Sequence, residues 1–378
     1  MRILIINNGE MLRKDDGKLY VSLSFKPFLE ELSELNKEVL LFQFETVDHN
    51  QISSFDYCVN YKKFKIKSVK RNKRKIISYL RAYLIAVSLL PKYDLVYIFY
   101  PNYFKYLGVI SKLFGKKLGL YIRGEKKLLS PSSRLLYSLS DICLTVSSYF
   151  SSIVSRYCKE TYTVRPLIDV DESDIVFNRK YYPKDNYSFL YLGRMDLNKG
   201  LVELLSACRL LVKNGVTNFH LHVVGGGGCF AEIQNLCSEY KLKNYISFWG
   251  SQGGKENIKK YYSSADCYIL PTYHEGFPRT LYEAMAYGTP IITTGVGGIP
   301  YLIKHKINGI LIEPKDVNAV YKSMKFALEH YDAMSTMAKN ATRTFSEFLT
   351  AHPISHAKML TQMINGDLLR KNIDKKSL

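Results

Sequence analysis

The chain has 378 residues, 47% hydrophobic and 23% charged, a globular composition long enough for two domains of ordinary size. It contains no run of eighteen apolar residues, so no transmembrane helix is expected, and its seven cysteines form no CxxC pair, which argues against a zinc or disulfide framework and for buried free thiols. The net charge of +19 is unevenly spread: residues 61–140 hold 19 Lys and Arg against two acids, Asp94 and Glu125, and so carry +17 of it.

The chain opens on Ile3-Leu4-Ile5-Ile6, a strand-like run that stops at Asn7-Asn8-Gly9 and is too short for a signal-peptide core, so a cytoplasmic location is expected. Further strands are expected at 38–43, 94–99, 117–122 and 141–146, with helices between them at 26–36, 76–90, 105–114 and 132–140. Between the second and third strands lies the densest basic stretch, Lys62 to Lys75, followed by a mostly apolar helical run that Pro91 stops. Cations interleaved with Phe64, Ile66 and Val69 suit an anionic membrane surface. A solvated basic face beside an ordinary core helix is the plainer alternative. No helix-turn-helix, zinc-finger or RNA-binding signature occurs, so nucleic acid is not an expected partner.

After an irregular acidic segment at 164–172, a second alternation follows. Its strands are expected at 188–192, 220–224, 245–249, 266–270, 290–294 and 310–312, and its helices at 200–213, 229–240, 255–264, 279–287 and 317–329. Two such series predict an α/β protein of two doubly wound, Rossmann-like domains, residues 1–165 and 166–345, with a C-terminal helical segment at 346–378. Domains of this kind facing one another place a ligand cleft at the carboxyl ends of their strands.

The most informative segment runs from His274 to Pro290. A buried strand ends at Pro271, Pro278 suits a first helical position, and Gly288 followed by Pro290 closes the helix. Glu275 thus sits in the loop ahead of a helix N-terminus, and Glu283 lies inside the helix, roughly 7 Å further along its axis. A helix N-terminus after a strand is an anion site, because its first amides lack partners. Two carboxylates beside an anion site fit a ligand that has both a diphosphate and hydroxyl groups, as a sugar nucleotide has. A second element, Gly193-Arg194-Met195-Asp196-Leu197-Asn198-Lys199-Gly200, again joins a strand to a helix and offers a guanidinium fork and a point charge for a diphosphate. A third, the strand ending in Gly225-Gly226-Gly227-Gly228, lets a nucleotide approach closely, which is a weak signal alone.

Together these segments resemble the retaining glycosyltransferases of family 4, which have the GT-B fold. The shared pattern is a glutamate, seven residues and a second glutamate, with Gly276, Pro278, Ala284, Ala286, Gly288 and Pro290 in place, preceded by Gly193-Arg194 and Lys199-Gly200 and accompanied by the glycine at Trp249-Gly250. The resemblance implies that Glu275 meets the donor sugar and Glu283 the ribose, and that Arg194 and Lys199 bind the donor diphosphate. Gly276, Phe277, Pro278, Thr280 and Gly225 are assigned to the same donor, with Glu275, Arg194 and Lys199 as the catalytic set. It also implies retention by front-face transfer, in which the leaving phosphate helps to deprotonate the acceptor, with no metal and no cofactor beyond a UDP- or GDP-linked sugar. Asp169-Val170-Asp171 matches a metal-binding motif in letters only.

The first domain departs from the family pattern. Where relatives carry a Gly-Gly loop after the first strand, this chain has Gly9, then Gly17, either of which is a candidate for meeting the donor. Where many have a histidine, it has Arg123-Gly124-Glu125. The reading reached is a hexosyltransferase in cell-surface polysaccharide biosynthesis, peripheral on the inner membrane face through residues 61–140, acting on a lipid-linked or glycan acceptor. A nucleotide-sugar epimerase of the same fold and a non-catalytic polyanion- or membrane-binding protein are the alternatives.

Overall fold

The computed structural model describes residues 1–14, 18–21, 25–46, 57–58, 64–70, 75–124 and 127–366. Gly17, Glu125 and much of the basic stretch (61–63 and 71–74) lie outside the described residues. The chain divides into two compact units, one of residues 1–48, 55–167 and 352–378, the other of 49–54 and 168–351.

In the first unit, strands β1 (Arg2–Arg13), β3 (Glu38–Thr46), β5 (Lys65–Lys70), β6 (Leu95–Tyr100), β7 (Lys117–Ile122), β8 (Ile142–Thr145) and β9 (Thr161–Thr163) pair in parallel in the spatial order β5-β3-β1-β6-β7-β8-β9. Two short strands, β2 (Leu19–Val21) and β4 (Tyr57–Cys58), add antiparallel pairing beyond the end of β1. The intervening helices are α1 (Lys26–Leu35), α2 (Lys75–Leu89), α3 (Tyr106–Leu113), α4 (Pro131–Leu139) and α5 (Ser148–Val154). Strands β6, β7 and β8 are buried on both faces, as a covered parallel sheet requires.

Two expectations change here. The first strand does not stop at Asn7: β1 passes through an irregularity between Ile6 and Glu10 and resumes pairing with β3 at Glu10, so Gly9 lies within a strand instead of in a loop after it. The described part of the basic stretch is a strand, β5, whose Lys65, Lys67 and Lys70 point to solvent while Val69 is buried. Arg123, at the end of β7, donates to Asn7 Oδ1 at 3.0 Å and lies 5.3 Å from the Phe99 ring.

The second unit is a single six-stranded parallel sheet. Its strands are β10 (Tyr187–Leu192), β11 (Phe219–Val224), β12 (Ile246–Gly250), β13 (Cys267–Leu270), β14 (Ile291–Thr294) and β15 (Ile310–Ile312), in the order β12-β11-β10-β13-β14-β15. Helices α6 (Leu201–Lys213), α7 (Phe230–Glu239), α8 (Lys255–Ser264), α9 (Arg279–Ala286), α10 (Ile299–Leu302), α11 (Val317–Glu329) and α12 (Tyr331–Ala351) connect and cover it. The chain grows outward from β10 to one edge, then returns to start again at β13, so the winding reverses between β10 and β13.

The C-terminal segment holds the end of α12 and one further helix. After α12 the chain breaks at His352-Pro353, and α13 (His356–Asn365) belongs to the first unit. There the ring of His356 lies 4.3 Å from that of Tyr121 and 4.7 Å from that of Phe28, and its Nε2 is 2.6 Å from the Tyr97 hydroxyl. Lys117 Nζ donates to the Ile364 carbonyl at 2.7 Å, satisfying one of the last carbonyls of α13. Six cysteines in the described residues are free, and five of them are buried.

Burial pushes the His356 imidazole down to about 3, so the folded unit holds it neutral. The unfolded chain takes up that proton near the ordinary value of about 6.5. Stability tied to this residue is therefore present above that value and lost as pH falls toward 3. Between about pH 7 and about pH 5 the loss comes to about 2 kcal/mol. Urea unfolding should show His356→Phe losing less stability than the parent over this interval by that amount; equal losses would contradict the assignment.

Candidate functional site

In an open parallel sheet, ligands bind outside the carboxyl ends of the strands where the winding reverses. In the second unit that point lies between the loops that leave β10 and β13. The first loop is Gly193–Gly200 and the second runs from Pro271 to Pro278.

The two loops are joined by backbone. Tyr273 N donates to the Asn198 carbonyl at 2.8 Å, and Thr272 Oγ1 donates to the same oxygen at 3.2 Å. Gly200 is left-handed, with φ of 72°, and a Cβ there would run into the Pro271 carbonyl. Only glycine allows this approach without strain. Across the resulting seam the ammonium of Lys199 donates to Glu275 Oε2, and both side chains are largely screened from solvent, at 17% and 18% exposed. Two residues 76 positions apart are thereby brought into contact at the reversal point.

Arg194 is placed differently. Its guanidinium pairs with Asp196 on the same turn, and its side chain is 77% exposed. It does not touch Lys199 or Glu275. The Arg194 carbonyl accepts from the Tyr191 hydroxyl at 2.7 Å, which anchors its backbone, while its side chain is exposed and held by Asp196 alone among the described residues.

Pro278 is the N-cap of α9 and not its first helical residue, and Gly288 closes the helix at φ of 65°. The first turn of α9 is held from beneath by two buried tyrosines. Tyr268 donates to Thr280 Oγ1 at 2.7 Å, and Tyr262 donates to the Thr280 carbonyl at 3.1 Å and to Glu283 Oε2 at 2.9 Å. At the far end Arg179 donates to carbonyls of Tyr262, Ala265 and Tyr287 and to Thr289 Oγ1, a cation at the C-termini of α8 and α9. Phe277 packs against Tyr282, ring centres 4.9 Å apart. Glu283 is buried, and burial, reinforced by the charge of Asp169, raises its carboxyl to about 7.

Gly225 has φ of 140°, and a Cβ on it would strike the Gly193 carbonyl. The β11 loop thus packs on the β10 loop, with Gly193 N donating to the Val224 carbonyl at 3.0 Å and Met195 N to that of Gly226 at 2.9 Å. The glycine at 225 has a packing reason of its own.

Of the residues singled out from the sequence, Lys199, Glu275, Gly276, Pro278, Thr280 and Glu283 fall on the paired loops and on α9. Gly225 lies one strand away, and Gly9 lies in the first unit. Tyr262, Tyr268 and Arg179 are additions. Tyr262 and Tyr268 occupy apolar positions of a helix and a strand, and no spacing marks either as a partner of Glu283 or Thr280. Arg179 lies in an irregular stretch between 175 and 186 with no signal at all.

Residues 173–344 match the family model for glycosyl transferases group 1. The amylovoran biosynthesis glycosyltransferase AmsK of Erwinia amylovora is 32% identical over 137 residues, 35% of this chain and 33% of that protein. The GalNAc-alpha-(1->4)-GalNAc-alpha-(1->3)-diNAcBac-PP-undecaprenol alpha-1,4-N-acetyl-D-galactosaminyltransferase of Campylobacter jejuni is 28% identical over 181 residues, 48% of this chain and 49% of that protein. The chain spans half or less of the length of these curated relatives. The crystal structure of Anabaena Alr3699/HepE in complex with UDP-glucose superposes with a TM-score of 0.68 at 17% identity, over 98% of this chain and 100% of that one, and so shares its fold.

The charge state of Glu283 is testable. Its pKa is raised on folding, so the stabilising neutral form is fully present below its ordinary value of about 4.3 and is lost as pH rises through about 7. By about pH 8 this costs about 3 to 4 kcal/mol. Glu283→Gln should match the parent near pH 5 and unfold at progressively higher denaturant than the parent as pH is raised to 8. A constant difference across that range would show that Glu283 is not buried as a neutral acid.

Proposed function

We propose, from the match of residues 173–344 to the family model for glycosyl transferases group 1, that the chain transfers a sugar, with retention, from a nucleoside-diphosphate sugar to a lipid-linked or polysaccharide acceptor at the cytoplasmic face of a membrane. The observation that carries this reading is the contact between Lys199 and Glu275 at the reversal point of the sheet. It puts a cation for a diphosphate beside an acceptor of sugar hydroxyls.

As the bond from the anomeric carbon to the diphosphate breaks, negative charge grows on the leaving oxygen. Lys199, the amides at the start of α9 and the exposed fork of Arg194 offset that charge, and preorganised groups of this kind are commonly the largest catalytic contribution. A diphosphate at Lys199 replaces Glu275 as its anionic partner, which releases Glu275 to accept from donor hydroxyls. Glu283, near its midpoint at neutral pH, accepts from or donates to a ribose hydroxyl while Tyr262 fixes its orientation. In the front-face route the acceptor oxygen bonds to the anomeric carbon on the side the diphosphate leaves, and its proton passes to the departing phosphate oxygen. Atoms and charge then balance within donor and acceptor, and the chain's cations supply the stabilisation. UDP- and GDP-linked sugars are the donor classes considered. The name of the Campylobacter relative, which carries a glycan on diphospho-undecaprenol, supports a lipid-linked acceptor, and that of the Erwinia relative supports a biosynthetic glycosyltransferase.

Calorimetry with a panel of uridine- and guanosine-diphosphate sugars tests the reading. One donor should bind, and Lys199→Ala and Glu275→Ala should each lower transfer by about a hundredfold or more while circular dichroism stays unchanged. A Lys199→Ala protein that binds and turns over like the parent, or a panel with no ligand, would overturn it.

A further inference from the structure

Helix α2 is inverted. Its buried stripe consists of small residues, Ser78, Ala82 and Ala86, spaced four apart. Its large apolar residues Ile76, Ile77, Leu80 and Leu84 point the other way, each more than half exposed. An amphipathic surface helix ordinarily does the reverse. Single exposed aliphatics are common, whereas a continuous stripe of them marks an interaction surface.

The stripe does not end at α2. Tyr103 and Tyr106, at the start of the neighbouring α3, are also more than half exposed, and Tyr83 of α2 donates to the Tyr103 carbonyl at 2.8 Å. Cations flank the stripe. Arg81 lies within it, and the exposed Lys67 of β5, a strand that packs on α2, shares the strand face of Val69, which registers with Phe44 against Tyr79 of α2. Neither α2 nor α3 contains an acid, and Asp94, one of two acids in residues 61–140, is paired with Arg2 at 2.8 Å.

We propose that this face of α2 docks in the plane of an anionic lipid leaflet, with Ile77, Leu80 and Leu84 entering the boundary between headgroups and acyl chains and Arg81 and Lys67 meeting lipid phosphates. The inference rests on the membrane-side reading above and gives it a surface. Charge selects lipid over a second copy of the chain, since a two-fold interface would set the same basic surface against itself. Length selects an in-plane pose: fifteen helical residues reach roughly 22 Å, short of the ~30 Å hydrocarbon core. No helix among the described residues is long and apolar enough to cross a membrane.

The test is flotation of the whole chain with phosphatidylcholine vesicles and with vesicles that also contain phosphatidylglycerol. The parent should bind the anionic vesicles, less so as salt rises, and not the neutral ones. Arg81→Ala should weaken partitioning roughly fivefold. The double variant Leu80→Glu, Leu84→Glu should weaken it by about tenfold or more. Both sites are exposed, so donor binding and circular dichroism should stay at parent values. In Leu84→Trp, brominated lipid should quench emission over the Trp249 background. Binding of the double variant at parent level, equal binding to neutral vesicles, absence of quenching, or a dimer in sedimentation that Leu80→Glu dissolves would each overturn the proposal. Vesicle binding without any donor would sink the enzymatic reading and leave this one standing. Donor binding and transfer without vesicle binding would do the opposite.

Discussion

A contact between an ammonium and a carboxylate organises the second unit. Lys199 and Glu275 are partly buried, and an unpaired charge in either place would carry a desolvation penalty. Their pairing is possible because Gly200 brings one loop against the Pro271 carbonyl, where any side chain would collide. The pair therefore depends on backbone geometry two strands wide. The sheet order puts β10 beside β13, the glycine lets their loops touch, and the two charges then meet at the one place where the winding reverses.

Around that pair the supports are graded from rigid to mobile. Thr280 and Glu283 are anchored by Tyr268 and Tyr262, both without exposure to solvent, and Arg179 closes the opposite ends of two helices. Lys199 and Glu275 are held chiefly by each other. Arg194 is held only by a neighbour two residues away and is otherwise in water. A site that must exchange one anion for another has use for this gradient, with fixed groups where shape matters and a movable cation where charge appears during the reaction.

Much of this was legible in the chain because it is written in glycine and proline. Pro271, Pro278, Gly288 and Pro290 mark the ends of β13 and α9 by their backbone limits alone, and Gly200 marks the turn that carries Lys199. The site's supports were not legible, because Tyr262 meets Glu283 through tertiary packing that no local pattern encodes. Gly225 carried an ambiguous message: a glycine needed to pass another backbone looks the same as one needed to admit a nucleotide. In the first unit, β1 runs on through Asn7 and Gly9 because β3 and β2 are there to pair with it, a long-range reason. Strand β5 was hidden by its lysines, of which an edge strand exposes Lys65 and Lys67 in alternation and which a reading by charge takes as a basic surface.

The assignment of α13 to the first unit has a consequence for biosynthesis. The aromatic pocket of Phe28, Tyr97 and Tyr121 is made from the earliest part of the chain, and the histidine that fills it comes at position 356. During synthesis from the N-terminus, the second unit leaves the ribosome whole before the first has all its parts. The N-terminal sheet must wait, with an apolar hole in it, for the last helix to arrive. A chain released after residue 351 would thus present one finished domain and one still open to chaperones, in the reverse of their order along the message.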